Sequence, residues 1–212
     1  MKLFLDTADV KSVKARLSTG LISGITTNPT LIFKSGKHPQ TVYQELIKLG
    51  IDDISMEVMG DSEDELFKNA MGHVKTYAEK ATIKLPCTID GLKACKRLSA
   101  INVRTNVTLI FSPAQAILAS LAGATYISPF IGRMDDNSLD GMKLINDISN
   151  TLRLDTKILA ASIRDPQSVG TAFALGADIC TVPVDVFDRM YNHVLTDKGL
   201  EQFERDNAAT SD

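Results

Sequence analysis

The stretch from Asn106 to Ile131 reads NVTLIFSPAQAILASLAGATYISPFI and decides the fold. The apolar run Asn106–Phe111 predicts a buried strand, and Ser112-Pro113 predicts a helix start, because serine caps free N–H groups and proline suits the first turn. Gly123 predicts the left-handed end of that helix, and Tyr126–Ile131 predicts the next strand. This order of elements is typical of a parallel sheet.

The same unit recurs along the whole chain. The predicted strands are Leu3–Asp6, Gly24–Asn28, Ile54–Met59, Thr82–Pro86, Asn106–Phe111, Tyr126–Ile131, Ile158–Ser162 and Ile179–Val182. Predicted helices between them include Glu63–Glu79, Ala114–Leu121 and Gln167–Leu175, with Gly50 and Gly176 as further helix ends. An open doubly wound sheet shows the same alternation, but eight strands, together with the positions of their polar residues, favour an α/β fold of the (β/α)8 TIM-barrel type.

Two further helices are predicted after the last strand. Val184–Val194 is the expected last helix of the barrel, and Asp197–Asp206 (DKGLEQFERD) is an amphipathic segment outside the eightfold repeat. We therefore predict a single domain over residues 1–212, with an extra C-terminal helix at 196–207.

Composition narrows the classes of function. Of the 212 residues, 44% are hydrophobic and 23% are charged, and the net charge of -3 is spread without a basic stripe. We therefore expect no nucleic-acid partner and no membrane partner. No apolar run approaches the roughly 20 residues of a membrane span, so we predict a cytoplasmic protein.

The cysteines and histidines indicate neither disulfides nor metal. The cysteines lack a CxxC pair, which favours reduced thiols, and the histidines are scattered without carboxylates at ligand spacing. These residues are Cys87, Cys95, Cys180, His38, His73 and His193. We expect no metal and no cofactor.

Polar residues interrupt the strands, although both faces of a strand in a parallel barrel are buried. They are Asp6, Thr26, Asn28, Glu57, Lys84, Asn106, Thr108, Ser128, Ser162 and Arg164. Residues two apart on a strand share a face. Most of their odd-numbered neighbours are apolar or small: Ile25, Val107, Leu109, Ile127 and Ile163. We therefore expect the polar set to point into the barrel and to meet at the C-terminal ends of the strands, where barrel enzymes place catalytic groups.

Lys84 lies within the apolar strand TIKLP. A rim lysine would reach water with its ammonium group, whereas a buried amine loses its charge more easily and can attack a carbonyl. Polar partners on other strands favour the second interpretation. Asp6 and Glu57 are then either ion-pair partners of Lys84 or Arg164, or the proton-transfer groups that carbonyl chemistry needs.

Two arginines follow neighbouring strands. Arg133 comes after the sixth strand, and Arg164 comes after the seventh, close to Ser162. Solvated surface arginines have the same pattern, but two guanidinium groups at one rim suit a phosphate, which accepts paired hydrogen bonds.

Seven blocks of sequence, one on each of seven successive strands, resemble the transaldolase family, especially its short single-barrel members. They are FLDTAD (4–9), GITTNPTL (24–31), SMEV (55–58), IKLP (83–86), NVTLIFSPAQA (106–116), ISPFIGRMDD (127–136) and LAASIRDP (159–166). The resemblance implies a transferase of the pentose phosphate pathway that acts on sugar phosphates. It moves a dihydroxyacetone unit from sedoheptulose 7-phosphate to glyceraldehyde 3-phosphate, giving erythrose 4-phosphate and fructose 6-phosphate, and the reaction is reversible.

The resemblance also implies roles for the residues. Lys84 forms a Schiff base, Asp6 takes the hydroxyl proton that triggers carbon–carbon cleavage, and Glu57 and Thr108 hold a water molecule. The remaining predicted residues contact the substrate, by its hydroxyl groups or its phosphate: Thr26, Asn28, Asn106, Ser128, Phe130, Arg133, Ser162 and Arg164.

Two alternatives remain open. A related fructose-6-phosphate aldolase releases free dihydroxyacetone, but similar aldolases have Gln in place of Glu57 and Tyr in place of Phe130. A barrel that only binds sugar phosphates would need Lys84 to be an ordinary rim lysine. In similar short transaldolases the terminal helix packs on a neighbouring subunit, so we expect a homo-oligomer, a pentamer or decamer. Such proteins usually have Trp near the C-terminal end, where this chain has Asn207.

Overall fold

The structure, a computed structural model, describes residues 1–152 and 155–210. Eight strands form a closed parallel barrel in chain order, with β8 paired to β1. They are β1 Lys2–Asp6, β2 Ile22–Thr26, β3 Ile54–Glu57, β4 Ala81–Pro86, β5 Thr105–Ile110, β6 Tyr126–Pro129, β7 Lys157–Ala160 and β8 Ile179–Val182. The predicted (β/α)8 barrel is therefore confirmed.

Helices surround the barrel, and two of them follow each of β2, β6 and β8. They are α1 Val10–Leu17, α2 Pro29–Ser35, α3 Pro39–Lys48, α4 Glu63–Tyr77, α5 Ile89–Ser99, α6 Pro113–Leu121, α7 Ile131–Asp136, α8 Gly141–Thr151, α9 Pro166–Ala174, α10 Val184–Arg189 and α11 Val194–Ala209. A 3-10 turn, Ala78–Lys80, ends the segment predicted as helix to Glu79. The helix signals hold: Ser112 caps α6, and Gly123 has the expected left-handed backbone, with φ of 83°.

Several strands end earlier than predicted, because the residues at their ends belong to loops or helix caps. β2 ends at Thr26 instead of Asn28, since the Asn28 side chain accepts a hydrogen bond of 2.9 Å from the Leu31 N–H and caps α2. The ends predicted for β3, β5, β6 and β7 were likewise one or two residues too late.

A bulge interrupts β5. The register between β5 and β6 shifts between Val107 and Ile110, and Leu109 has a φ of 62°. The two-residue alternation, from which Leu109 was expected on the outer face, is therefore interrupted at this point of β5.

Apolar side chains pack on both sides of the strands. The main core lies between the strands and the helices, and a second cluster of Phe4, Tyr126, Leu159, Ala161 and Ile179 fills part of the barrel interior. Near the N-terminal ends of the strands, Tyr126 donates a hydrogen bond of 2.7 Å to the Asp53 carboxylate, which also pairs with Arg104 at 3.1 Å. These polar contacts lie at the opposite end of the barrel from the C-terminal ends of the strands.

The C-terminal helices differ in their bounds from the prediction. α10 ends at Arg189, and Val194, predicted as its last residue, begins α11. The cause is His193, whose Nδ1 accepts a hydrogen bond from the Leu195 N–H and starts a new helix. The extra helix predicted at 196–207 is confirmed and is slightly longer. No helix among the described residues is long and apolar enough to span a membrane.

Candidate active site

The register of the sheet places three predicted residues at one level of the barrel. Glu57 on β3 is paired with Lys84 on β4, which is paired with Asn106 on β5. Side chains that are paired in register point to the same side of a sheet. An acid, an amine and an amide therefore lie side by side near the C-terminal ends of neighbouring strands.

A cavity of about 130 Å³ opens at this end of the barrel. Most of the predicted site residues line it, and Ala161 and Thr181 complete its walls. The lining consists of Asp6, Thr26, Asn28, Lys84, Ser128, Phe130, Arg133, Ala161, Ser162 and Thr181. The structure thus brings together residues from widely separated parts of the chain, as the polar pattern of the strands predicted.

Lys84 is buried, with 5% of its surface exposed. Its Nζ donates a hydrogen bond of 3.0 Å to the Thr27 carbonyl oxygen and lies 3.2 Å from a Glu57 carboxylate oxygen. A rim lysine would instead extend its ammonium group into water. Lys84 is therefore held inside the barrel by two oxygen atoms.

Asp6 lies in the same cavity and accepts a hydrogen bond of 2.6 Å from the Thr26 hydroxyl. The Thr26 hydroxyl also lies 2.7 Å from that of Thr181. Burial raises the pKa of Asp6, and the Thr26 hydrogen bond and the charge of Lys84 offset only part of that rise. A carboxylate with a raised pKa is a stronger base than an exposed one, which suits proton abstraction.

A second polar group lies beside Lys84. Asn106 is fully buried; its amide oxygen accepts a hydrogen bond of 2.7 Å from Ser128, and its amide nitrogen donates one of 3.1 Å to Ser55. The Thr108 hydroxyl is also buried, and it makes no hydrogen bond to any described residue. A buried hydroxyl without a partner is costly, so Thr108 is suited to hold a water molecule or a substrate atom.

The two arginines lie in different surroundings. Arg133 lines the cavity, with its guanidinium carbon 4.8 Å from the centre of the Phe130 ring. Arg164 lies outside the lining and binds both carboxylate oxygens of Asp136. Of the three residues expected to bind the phosphate, Arg133 and Ser162 line the cavity. Arg164 does not line it and is paired with Asp136 of α7.

Two residues near the site were missed from the sequence. Thr181 lines the cavity from β8, and Thr27 supplies the carbonyl oxygen that binds Lys84. The rule that polar residues inside strands point into the barrel applies to Thr181 as well, but threonine is common in strands, so its presence there does not by itself indicate a site. A backbone carbonyl leaves no signal in the sequence.

No group of three or more metal-ligating side chains that could hold a metal ion occurs in the part of the chain that the structure describes. Cys87, Cys95 and Cys180 are free thiols, and burial raises the pKa of each. Lys84 and Asp6 present an amine and a carboxylate to the cavity, and Glu57 places a second carboxylate 3.2 Å from the Lys84 Nζ.

Fold and site together define a (β/α)8-barrel enzyme whose central group is a buried lysine. The model of the family "Transaldolase/Fructose-6-phosphate aldolase" matches residues 3–212, and the chain belongs to this family. The resemblance seen in the sequence, and the transaldolase class that it implied, are thereby confirmed.

Relatives of similar length are named as probable transaldolases. A "Probable transaldolase" of Caulobacter vibrioides is 48% identical over 213 residues, covering 99% of this chain and 98% of the relative. Proteins of that name from Symbiobacterium thermophilum and Nitrosopumilus maritimus are 46% and 45% identical, each over 97% of this chain and over 96% and 94% of their own lengths.

Distant solved structures share the fold alone. Inosine 5'-monophosphate dehydrogenase from Legionella pneumophila superposes with a TM-score of 0.63 at 17% identity, over 88% of this chain and 58% of that one. Thiamine phosphate pyrophosphorylase from Pyrococcus furiosus gives 0.57 at 18% identity, over 85% of each chain.

Proposed function

We propose that this chain transfers a dihydroxyacetone unit between sugar phosphates through a Schiff base on Lys84. The observation that carries the proposal is the buried Lys84 amine, 3.2 Å from Glu57, in one cavity with Asp6. The amine supplies a nucleophile, and the two acids supply separate positions for proton transfer.

Imine formation is the first stage. The Lys84 ammonium group gives a proton to Glu57, directly or through water, and the neutral amine attacks the ketone carbon of the donor sugar. A carbon–nitrogen bond forms, and the ketone oxygen leaves as water after two proton transfers. Glu57 lies close enough to Nζ to serve these transfers, and the unpartnered hydroxyl of Thr108 is suited to hold the water.

Cleavage and transfer follow. In fructose 6-phosphate the bond to be broken joins C3 to C4, and the Asp6 carboxylate takes the proton of the hydroxyl group on C4, which becomes an aldehyde carbon. The electrons of the broken carbon–carbon bond move toward the iminium nitrogen and give an enamine on Lys84. Attack of the enamine on an acceptor aldehyde reverses these steps, and hydrolysis then frees the new ketose.

Substrate binding is assigned to the remaining walls of the cavity. Asn28 and Ser128 present polar groups from opposite sides of the barrel, and Thr26 positions Asp6 through its hydrogen bond. Asn106 acts through Ser128, to which it is bonded. Arg133 and Ser162 bind the phosphate, and Arg164 joins them if the phosphate displaces Asp136 from its guanidinium group.

Transfer, as opposed to release, is favoured by Phe130. This ring lines the cavity and packs against Phe111 at a centroid distance of 6.0 Å, and it offers no hydroxyl to water. An enamine beside an apolar wall is protonated slowly, because no water molecule is held near its carbon atom. The fragment then stays on Lys84 until an aldehyde arrives.

The dependence on an acceptor tests this proposal. With fructose 6-phosphate alone, we expect little free dihydroxyacetone, because the enamine waits for an aldehyde. Adding erythrose 4-phosphate is expected to raise glyceraldehyde 3-phosphate release by at least about tenfold. A coupled assay with and without the acceptor measures both quantities, and equal rates would instead establish the aldolase.

The variant Phe130→Tyr provides the matched comparison. Its phenol hydroxyl would hold water at the cavity wall, so release of dihydroxyacetone without acceptor should increase while the transfer rate falls. An unchanged ratio of the two rates would show that Phe130 does not decide between them.

We propose a single domain over residues 1–212, whose C-terminal helix packs on a neighbouring subunit of a pentamer or decamer. α11 has no buried residue, and its apolar side chains are largely exposed, with Phe203 at 70%. An exposed apolar face of this kind indicates a binding surface.

Light scattering tests the assembly. We expect a mass of five or ten chains, and Phe203→Asp on α11 should lower it, because a buried charge without a partner opposes association. The exposed control Glu204→Asp on the same helix should leave the mass unchanged. A monomeric mass for the unmodified protein would contradict the proposal.

A further inference from the structure

The ion pair of Lys84 and Glu57 lies between two separate spaces. Lys84 lines the catalytic cavity, whereas Glu57 lines a groove of about 600 Å³ bounded by α2, α3 and α4, which we call the α2–α4 groove. The Glu57 side chain is 18% exposed and that of Lys84 is 6% exposed. The pair therefore meets solvent mainly through its carboxylate.

The proposed reaction needs a path for water. Each imine that forms on Lys84 releases one water molecule, and each hydrolysis consumes one. The catalytic cavity has a volume of about 130 Å³, and the proposed substrate would occupy it with its sugar chain, and with its phosphate at Arg133. While substrate is bound, water needs another way to reach Lys84.

The α2–α4 groove has mostly apolar walls, but Glu57, Tyr43 and His73 supply polar groups to it. Tyr43 and His73 line it together, with their rings edge to face at 5.8 Å. The Tyr43 hydroxyl lies 3.4 Å from the Thr27 hydroxyl, on the residue whose carbonyl oxygen binds Lys84. Burial lowers the pKa of His73, so its imidazole is neutral at pH 7 and can both donate and accept hydrogen bonds to water.

We propose that the α2–α4 groove is the path by which water leaves and reaches the imine, passing Glu57 on the side away from the catalytic cavity. The groove also shares Asn28 with the catalytic cavity, which places the two spaces side by side. This inference rests on the proposed Schiff-base function, since water is exchanged here only if an imine forms. It separates the water that hydrolyses the imine from the apolar wall at Phe130.

Exchange of the ketone oxygen measures the water path directly. Fructose 6-phosphate is incubated with the enzyme in oxygen-18 water, and mass spectrometry follows the label at its ketone carbon. Lys84→Met gives the background of spontaneous exchange. His73→Trp narrows the groove from α4, and Gln40→Trp narrows it from α3 at an exposed position that folding tolerates.

In both narrowed variants we expect enzyme-catalysed exchange to slow by about tenfold, a change worth ~1.4 kcal/mol. The amount of adduct trapped on Lys84 by borohydride should stay unchanged, because a narrower path slows imine formation and imine hydrolysis by the same factor and leaves their equilibrium unaltered. Lys75→Trp is the matched control. Lys75 is exposed on α4 and lines neither the catalytic cavity nor the α2–α4 groove. It should alter neither quantity.

The possible results distinguish failure of the water path from failure of the Schiff-base function. Unchanged exchange in folded Gln40→Trp or His73→Trp would overturn the water path and leave the proposed function intact. A parallel loss of exchange and adduct would also overturn it, because the substitution would then disturb Lys84 itself. Absence of both exchange and adduct in the unmodified enzyme would instead refute the Schiff base and, with it, this inference.

Discussion

Lys84→Met is expected to abolish turnover, with a loss of roughly 10⁴-fold or more, since removal of a nucleophile leaves only binding and positioning effects. Methionine keeps the length and the apolar stem of lysine but has no amine. Because Lys84 is buried between Glu57 and the Thr27 carbonyl oxygen, no solvent-exposed lysine can take its place there.

Borohydride trapping is the measurement for this variant. With fructose 6-phosphate and borohydride, the unmodified protein should carry a three-carbon adduct that peptide mass spectrometry places on Lys84. Lys93→Met is the control, because Lys93 is an exposed lysine on α5. A retained adduct in Lys84→Met, or a retained rate, would show that another group does the chemistry.

The substitution Lys84→Met should affect the stability of the fold less than it affects the catalytic rate. Removing one partner of a buried pair leaves the other charge unpaired, but Glu57 keeps contact with the α2–α4 groove and its solvent. We therefore expect Lys84→Met to remain folded, so that loss of activity is not a consequence of unfolding.

Much of the fold followed from short signals in the sequence. Ser112-Pro113 and Gly123 mark both ends of α6, because capping and left-handed backbone depend on the residue itself. The strand ends were less predictable. Asn28 suits both a strand and a helix cap, and only the path of the chain into α2 decides between them.

The site was predictable to the extent that strand geometry determines it. Asp6, Lys84 and Ser128 lie on strands that are not neighbours, but they line one cavity because the barrel is closed and their side chains point inward. Arg164 could not be placed in this way. Its partner Asp136 is the last residue of α7, after a different strand, and an ion pair between a helix and a loop leaves no periodic pattern in the sequence. The register shift at Leu109 likewise leaves no pattern in the sequence from which it could be predicted.

Asp6→Asn is expected to lower transfer by about 10²- to 10⁴-fold, the usual contribution of a general base. Asparagine keeps the hydrogen bond from Thr26 but cannot take a proton. Imine formation depends on Lys84 and Glu57, so it should continue in this variant. Borohydride should then trap the intact six-carbon sugar on Lys84 instead of a three-carbon fragment, and Asp61→Asn, at an exposed position, is the control.

The pH dependence identifies the same carboxyl group. Burial raises the pKa of Asp6 above that of an exposed aspartate, and its catalytic form is the ionised one. Activity should therefore fall as the pH decreases through this raised pKa, at a higher pH than an ordinary aspartate would cause. A profile of kcat without such an acidic limb would argue against Asp6 as the base.

The raised pKa of Asp6 also predicts that this residue lowers the free energy of unfolding at the pH values at which its ionised form acts as a base. The folded protein holds the Asp6 proton more tightly than the unfolded chain does, so the free energy of unfolding decreases as the pH rises from the ordinary aspartate pKa through the raised one. The neutral amide of the Asp6→Asn variant has no such loss, and thermal unfolding should therefore show a larger gain for this variant at pH 7 than at pH 4. An equal shift at both values would mean that ionisation of Asp6 does not oppose folding, and that its burial is offset by Thr26 and Lys84.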